Sequence, residues 1–343
     1  MTVVFSSLTQ IGVAALGGLI FHVLNIPAAW LSGAMMAVVV WGALGRARPM
    51  ARPLVDLAMV ISGATMGAAI TPEALSAMSR YPLSLLLLTI GVVGIAGAST
   101  MWLTRMSGWK REDAVLASVP GALSTVLAIA ADRKADVGSI AVVQSVRLLV
   151  LILVLPSIVV FIGGGDGSML LGQGQPIANA PDFALTLVGG LALGLVFERL
   201  RVTAALLLGA TVVSTMLHVT NTAPGVVPPV VATGGLVLIG AFVGERFRTL
   251  NGEALKRTIP AALGSCLISM VVAALFAGVT MVLVRVGLGD ALVAFAPGGL
   301  EAMMVLAVIL GLDPLYVGTH HLARFLGIAF ALPLVMMGLR RGS

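Results

Sequence analysis

The sequence predicts an all-helical membrane protein of about ten to twelve transmembrane helices, arranged as two homologous repeats. Three observations predict it. The chain of 343 residues is 59% hydrophobic and only 10% charged, with a mean hydropathy of +1.10, far outside the range of water-soluble domains. Apolar stretches recur from Thr9 to Met336, each near the length of about 20 residues that crosses a bilayer core as helix. The chain also aligns with itself at a fixed offset.

Twelve apolar stretches can be read, six in each half. The first six are Thr9–Leu24, Ala28–Leu44, Leu54–Ile70, Leu83–Leu103, Ala114–Ala130 and Ile140–Ile162. The second six are Leu185–Val196, Ala204–Leu217, Val230–Val243, Ile259–Val284, Ala291–Leu310 and Val317–Met336. No Lys or Arg precedes Thr9, so Thr9–Leu24 is expected to be a retained segment rather than a cleaved signal. The 41 glycines and 16 prolines point to close helix packing and to broken helices, which neighbouring segments or water can re-satisfy inside a membrane.

Offsetting the chain by 177 residues aligns Asp113–Pro156 with Asp290–Pro333 without a gap, and twelve of 44 pairs are identical. Asp113/Asp290, Pro120/Pro297, Gly121/Gly298, Asp136/Asp313, Arg147/Arg324 and Pro156/Pro333 are among them. Upstream, Gly33 pairs with Gly209, Gly63 with Gly240 and Gly67 with Gly244. The organisation read from this is a first repeat over residues 9–162, a Gly-rich linker over 163–182 and a second repeat over 183–338.

The basic residues suggest that the repeats are inverted. In the first copy, loops after stretches two and four hold Arg46, Arg48, Arg52, Arg105, Lys110 and Arg111, while those after three and five hold Arg80, Arg133 and Lys134. In the second copy, loops after stretches one and three hold Arg199, Arg201, Arg246, Arg248, Lys256 and Arg257, against Arg285 alone after two and four. Positive loops stay cytoplasmic, so equivalent loops should face opposite sides. Inversion needs an odd number of crossings per copy, so one stretch per copy is expected not to cross fully, the short first or the interrupted fifth. Two parallel copies with a coincidental charge bias are the alternative.

Of twenty Lys and Arg, only Arg147 and Arg324 lie inside apolar stretches, at the same place in each copy. A charged residue at membrane depth costs at least ~2.5–3.5 kcal/mol and normally faces a partner or a watery cavity. Counting from Asp136 puts Arg147 roughly 16 Å deep. The arginines are read as substrate counter-charges, or else as ties to an acid such as Glu301 or Asp56. Pro120-Gly121-Ala122-Leu123-Ser124 and Pro297-Gly298-Gly299-Leu300-Glu301 sit mid-stretch and are expected to break the fifth helix of each copy, exposing helix ends that can receive an anion. A packed proline kink is the other reading.

Glu301 should lie in the first turn of the second half-helix, opposite Ser124 by symmetry, as a proton- or sodium-coupling group or as a complement to the helix dipole. Thr319, His320 and His321 precede Arg324 and are read as lining a polar cavity, with His321 on the arginine's face. No complete metal set accompanies the two histidines, and no cofactor is expected. Asp136 and Asp313 are read as helix caps. Cys266 stands alone and is read as packing.

The run Ala29-Trp30-Leu31-Ser32-Gly33-Ala34, with Ala296-Pro297-Gly298-Gly299-Leu300-Glu301-Ala302-Met303 and Val317-Gly318-Thr319-His320-His321-Leu322-Ala323-Arg324, resembles the bacterial AbrB-duplication membrane family over essentially the whole chain. Its members carry labels of ammonia monooxygenase or of regulator of gene expression. His22, His218, His320 and His321 offer no copper or iron cluster, so no enzymatic activity is expected.

The function expected is secondary transport, in a multi-pass inner-membrane protein, of a small anionic or polar solute coupled to H+ or Na+. A membrane-bound regulator or scaffold is the alternative. The lipid bilayer is the expected partner, nucleic acid is not, and self-association into a homo-oligomer is left open. Cysteines placed at Arg48 and near Asn221 should react with an impermeant reagent from opposite membrane faces; labelling from one face would return the parallel arrangement.

Overall fold

Prolines, left-handed turn residues and caps divide the apolar sequence into fourteen α-helices among the described residues of a computed structural model. Those residues are all but 1, 71, 73–75, 77–80, 122, 164–175, 250–251 and 342–343, and side chains are also left undescribed at 2–6, 123–125, 128, 249, 252–255 and 338–341. The first seven helices are α1 (Thr2–Val23), α2 (Ala29–Ala43), α3 (Arg52–Ala68), α4 (Tyr81–Arg105), α5 (Arg111–Ser118), α6 (Leu123–Asp132) and α7 (Val137–Phe161). The other seven are α8 (Ala180–Arg199), α9 (Ala205–Val219), α10 (Pro229–Glu245), α11 (Gly252–Val284), α12 (Leu288–Phe295), α13 (Leu300–Ile309) and α14 (Pro314–Arg341).

Local chemistry fixes the boundaries. α3 and α10 each begin with a proline in the first turn, where the missing N–H has no intrahelical partner to lose. Helices α2 and α9 each follow a left-handed alanine, Ala28 and Ala204. Asp136 caps α7: its Oδ1 accepts from the Ser139 N–H at 3.0 Å, and its Oδ2 accepts from the Ser139 hydroxyl at 2.8 Å. The Ser139 amide and hydroxyl, with Arg257 at 3.3 Å, hold the Asp136 carboxyl below the usual carboxylate range. Asp313 accepts from the Leu315 N–H at 2.9 Å at the start of α14. Both expected caps are present.

Among the described residues, six helices are long and apolar enough to cross a membrane: Tyr81–Arg105, Val137–Phe161, Ala180–Arg199, Pro229–Arg248, Lys256–Val284 and Pro314–Met337. Their outward faces carry Leu86, Ile90 and Val93 on α4, Val188 and Leu195 on α8, and Leu267, Leu275 and Val282 on α11, all well exposed. Such continuous apolar surface suits lipid, not water. The protein is a multi-pass helical membrane protein.

The chain forms two compact units, and each draws segments from both sequence copies. Unit one comprises residues 1–78, 156–248 and 304–315; unit two comprises 79–155, 249–303 and 316–343.

In unit one α1 packs on α2 and α8 on α9, while α10 lies against α2 and α3 against α9. Glycines permit these approaches. A Cβ on Gly63 or Gly67 would stand 2.3 or 2.4 Å from the carbonyl oxygens of Leu207 or Thr211, and one on Gly240 or Gly244 would stand 2.6 or 2.7 Å from those of Leu31 or Met35. Backbone-to-backbone contact of this kind is how membrane helices gain dispersion energy without a hydrophobic drive. The Ser214 hydroxyl adds a 2.7 Å bond across to the Ala64 carbonyl.

In unit two α4 packs on α11, with the indole of Trp102 lying directly on Gly264 and the hydroxyls of Ser99 and Ser269 meeting at 3.0 Å. Helices α5 and α12 then pack on α4 and α11 respectively. Leu103, Leu116, Val126, Ile140, Val143, Ala262, Ile328 and Leu332 form the buried centre of this unit.

Gly63→Ala should lower the apparent melting temperature of detergent-solubilised protein, since overpacking costs about 1–3 kcal/mol. Gly234→Ala, where a Cβ meets nothing within 4 Å, should leave it unchanged or raise it through helix propensity of up to about 1 kcal/mol. Equal behaviour of the two would contradict the packing described.

Candidate functional site

Helix α5 stops because Pro120 follows Val119. The residue before a proline is driven out of the helical region, and Val119 is extended at φ −62°, ψ 124°. Helix α12 stops the same way, with Ala296 at φ −55°, ψ 133° before Pro297. Gly121 then turns at φ +95°, a conformation that favours glycine. The chain resumes as α6 and as α13. Both expected breaks are present, and the residues of each, Pro120–Gly121 and Pro297–Gly299, belong to unit two.

A break at membrane depth strands carbonyls that water would otherwise satisfy. Each long helix that follows supplies the donors. From α7, Arg147 donates through Nη1 to the Ser118 carbonyl and through Nη2 to that of Val119, both at 3.2 Å. Gln144, one turn earlier, donates to the Leu116 and Val119 carbonyls at 3.1 and 3.0 Å, and its Oε1 accepts from Arg147 Nη2 at 2.7 Å. From α14, Arg324 donates to the Ala296 and Gly298 carbonyls at 2.6 and 2.7 Å, and to His321 Nδ1 at 2.7 Å. His321 Nε2 donates to the Val293 carbonyl at 2.9 Å.

Gln144 and His321 thus play one part with different chemistry. Each stands three residues before its arginine, accepts from the guanidinium and donates to the end of the preceding short helix. Because His321 Nδ1 receives an arginine N–H, its own proton is on Nε2.

Arg147 and Arg324 are only 2% and 5% exposed. Neither forms an ion pair among the described residues; Asp56 pairs instead with Arg52 at 3.7 Å. The negative ends of α5 and α12 are their partners, a geometry that offsets only part of a unit charge. Described acceptors use three of the five N–H groups of each guanidinium. The Arg147 Nε is buried with no partner among the described residues. The Arg324 Nε lies 3.8 Å from where a Cβ on Gly121 would stand. The second arginine therefore reaches the first break.

Glu301 lies in the first turn of α13, half-buried, with no hydrogen bond or ion pair among the described residues. A Cβ on Gly299 would be 3.7 Å from its Oε2 and 3.8 Å from Leu148, next to Arg147. Pro120, Pro297 and Gly298 are buried, and Gly299 is half-buried. The side chain of Ser124 lies outside the described residues. Thr319 is half-buried and makes no hydrogen bond among them.

His320 is turned to another cluster. Its Nδ1 meets the Tyr316 carbonyl at 2.7 Å and so carries the proton, leaving Nε2 to accept from the Ser84 hydroxyl at 2.6 Å. Ser84 Oγ meets Tyr316 Oη at 2.5 Å. Nothing in the sequence pattern marked Ser84 or Tyr316, and Gln144 was visible only as the residue aligned with His321. Among the described residues no group of three or more His, Cys, Asp or Glu could hold a metal ion. Cys266 is a buried free thiol.

Residues 30–340 match the family described as "Transition state regulatory protein AbrB". The chain belongs to this AbrB family. It is 23% identical over 356 residues to the "Uncharacterized protein YhjN" of Bacillus subtilis (strain 168), covering 94% of this chain and 90% of that protein.

Gln144→Leu removes both donors to the end of α5 and the acceptor for Arg147. Stranding buried polar groups costs about 1–3 kcal/mol each, so this variant should melt several degrees below wild type. His321→Gln keeps both functions and should lose far less; the reverse order would contradict the shared role.

Proposed function

We propose that this AbrB-family protein is a secondary transporter of a small anionic solute, built from inverted repeats, seated in the inner membrane and driven by H+ or Na+. One observation supports this: among the described residues, two buried arginines meet two helix breaks, no acid pairs with either, and acceptors take three of the five N–H groups of each. Ionisable residues at membrane depth mark substrate or ion pathways. A guanidinium with N–H groups beyond those its carbonyl partners take suits a carboxylate or phosphate.

The order of elements supports the repeat. Helices α1 to α7 and α8 to α14 follow one pattern of lengths, and left-handed residues recur at matching places: Asn25 with Arg201, Ala28 with Ala204, Gly108 with Arg285, and Lys134 with Gly311. The pairings α2 with α10 and α3 with α9 exchange under the same relation. Inversion rests on the reversed loop charges, and it fits the approach of the second arginine to the first break. Glu301, half-buried and unpaired among the described residues, fits the coupling cation or proton. The family description favours a second reading, a membrane-bound regulator whose polar interior only joins helices.

Screening small carboxylates and phosphates by thermal shift should find an anion that stabilises the protein, by about 2.7 kcal/mol at a hundredfold excess over Kd, and that crosses proteoliposomes carrying it. Arg147→Gln and Arg324→Gln should each lose most of that stabilisation, with lysine rescuing part. Variants that fold poorly yet bind and transport normally would leave the arginines as structural ties and sink the reading.

A further inference from the structure

The adjacent histidines of α14 differ in what a second proton would meet. His321 presents Nδ1 to an N–H of Arg324, a group that only donates, so a proton there has no acceptor. His320 presents Nε2 to the Ser84 hydroxyl, which in turn meets Tyr316 Oη. Hydroxyls donate and accept equally well. With His320 neutral, the chain runs from Tyr316 through Ser84 to His320. A proton added from water to the Nε2 lone pair would reverse it: His320 donates to Ser84, Ser84 donates to Tyr316, and no buried polar atom at Ser84 is left unpaired.

The surroundings set the condition for that proton. His320, Ser84 and Tyr316 are 0%, 0% and 2% exposed. The rings of Tyr316, Tyr81 and Phe295 lie 4.0, 5.9 and 6.0 Å from the imidazole. Among the described residues, the ionisable groups around it are Tyr81 of α4 and, on its own helix, Tyr316, His321 and Arg324. Arg324 alone of these is charged, and it stands four residues on, on the same helical face. A second cation beside it is opposed as long as that guanidinium is unneutralised.

We propose that His320, with Ser84 and Tyr316, is a proton-binding site whose occupancy is set by the charge at Arg324, so that an anion bound to Arg324 draws a proton onto His320. This rests on the transport reading above and gives it a coupling group besides Glu301. Linkage makes the effect reciprocal: protonated His320 strengthens the anion's hold. It also explains why the second copy carries histidines where the first has Val143 and Gln144, because only one of two equivalent positions needs the proton.

The test needs no identified solute. His321→Glu puts a carboxylate against Arg324 while keeping the arginine's carbonyl bonds, and the isosteric Gln144 already occupies the equivalent place in the first copy. His321→Gln is its uncharged control. Nitrogen NMR of 15N-histidine protein in nanodiscs distinguishes neutral Nδ1–H, neutral Nε2–H and doubly protonated rings, with His320→Gln assigning the signal. At about pH 5, His321→Glu should raise the doubly protonated fraction of His320 by about tenfold or more over wild type and over His321→Gln, as one neutralised charge within a helical turn implies. Ser84→Ala added to His321→Glu should reverse most of that gain. Arg324→Gln, where it folds, should load His320 in the same way. A His320 that stays neutral in His321→Glu, or titrates alike in all the variants, overturns the proposal. Failure of any anion to bind or cross, with His320 still responding to the charge at Arg324, would instead remove the transport reading and leave a charge-gated proton site.

Discussion

A helix cannot be broken inside a bilayer without someone answering for its carbonyls. In water the ends of α5 and α12 would be hydrated; in lipid each orphaned C=O costs several kcal/mol. The rest of unit two follows from how that demand is met. Arg147 and Arg324 are the cations that reach the Val119 and Ala296 carbonyls from the long helices behind them. Charge-assisted bonds to backbone are about twice as strong as neutral ones, which is what justifies an ionised side chain at this depth. Since helix ends carry only about half a charge, the capped breaks remain electropositive.

Unit one meets the membrane's other constraint, that apolar faces gain nothing by leaving lipid for one another. Its helices associate by approaching closely enough for backbone contact. Gly63 and Gly67 on α3 lie on the turns of α9, and Gly240 and Gly244 on α10 lie on those of α2. Each pair is four residues apart, one helical turn, so both members fall on one face. The same glycines that would weaken a soluble helix here define which surfaces can touch.

The parts of this that were legible in sequence are those written in residue identity. Proline with glycine in mid-stretch announced both breaks, and a pair of arginines in otherwise apolar runs announced their own importance. What the arginines touch was not legible. Their partners are main-chain oxygens, and a carbonyl leaves no signature in the side-chain sequence, so the acids Glu301 and Asp56 were the visible but unused choices. Ser84 was hidden for a different reason: it meets Tyr316 across 232 residues of chain, and a serine in an apolar helix looks like any other. Boundaries erred where polarity and helicity part company. α11 begins at Gly252 rather than Ile259, because Lys256 and Arg257 are good helix formers that hydropathy alone excludes.

The two aligned halves of the sequence differ in charge chemistry at the breaks. Gln144 and His321 hold their arginines alike, each accepting from the guanidinium and donating to a carbonyl at the end of the preceding short helix. Ser124 and Glu301 occupy equivalent first turns, one neutral and one a carboxylate. Val143 faces no hydroxyl partner where His320 finds Ser84. At these three positions the change from the first copy to the second adds a group that can gain or lose a proton. Capping the break needs no such group, since Gln144 already satisfies the first one. Titratable groups gathered on one side of a pseudosymmetric pair are what a device needs if one break is to hold a charge constant while the other lets it change.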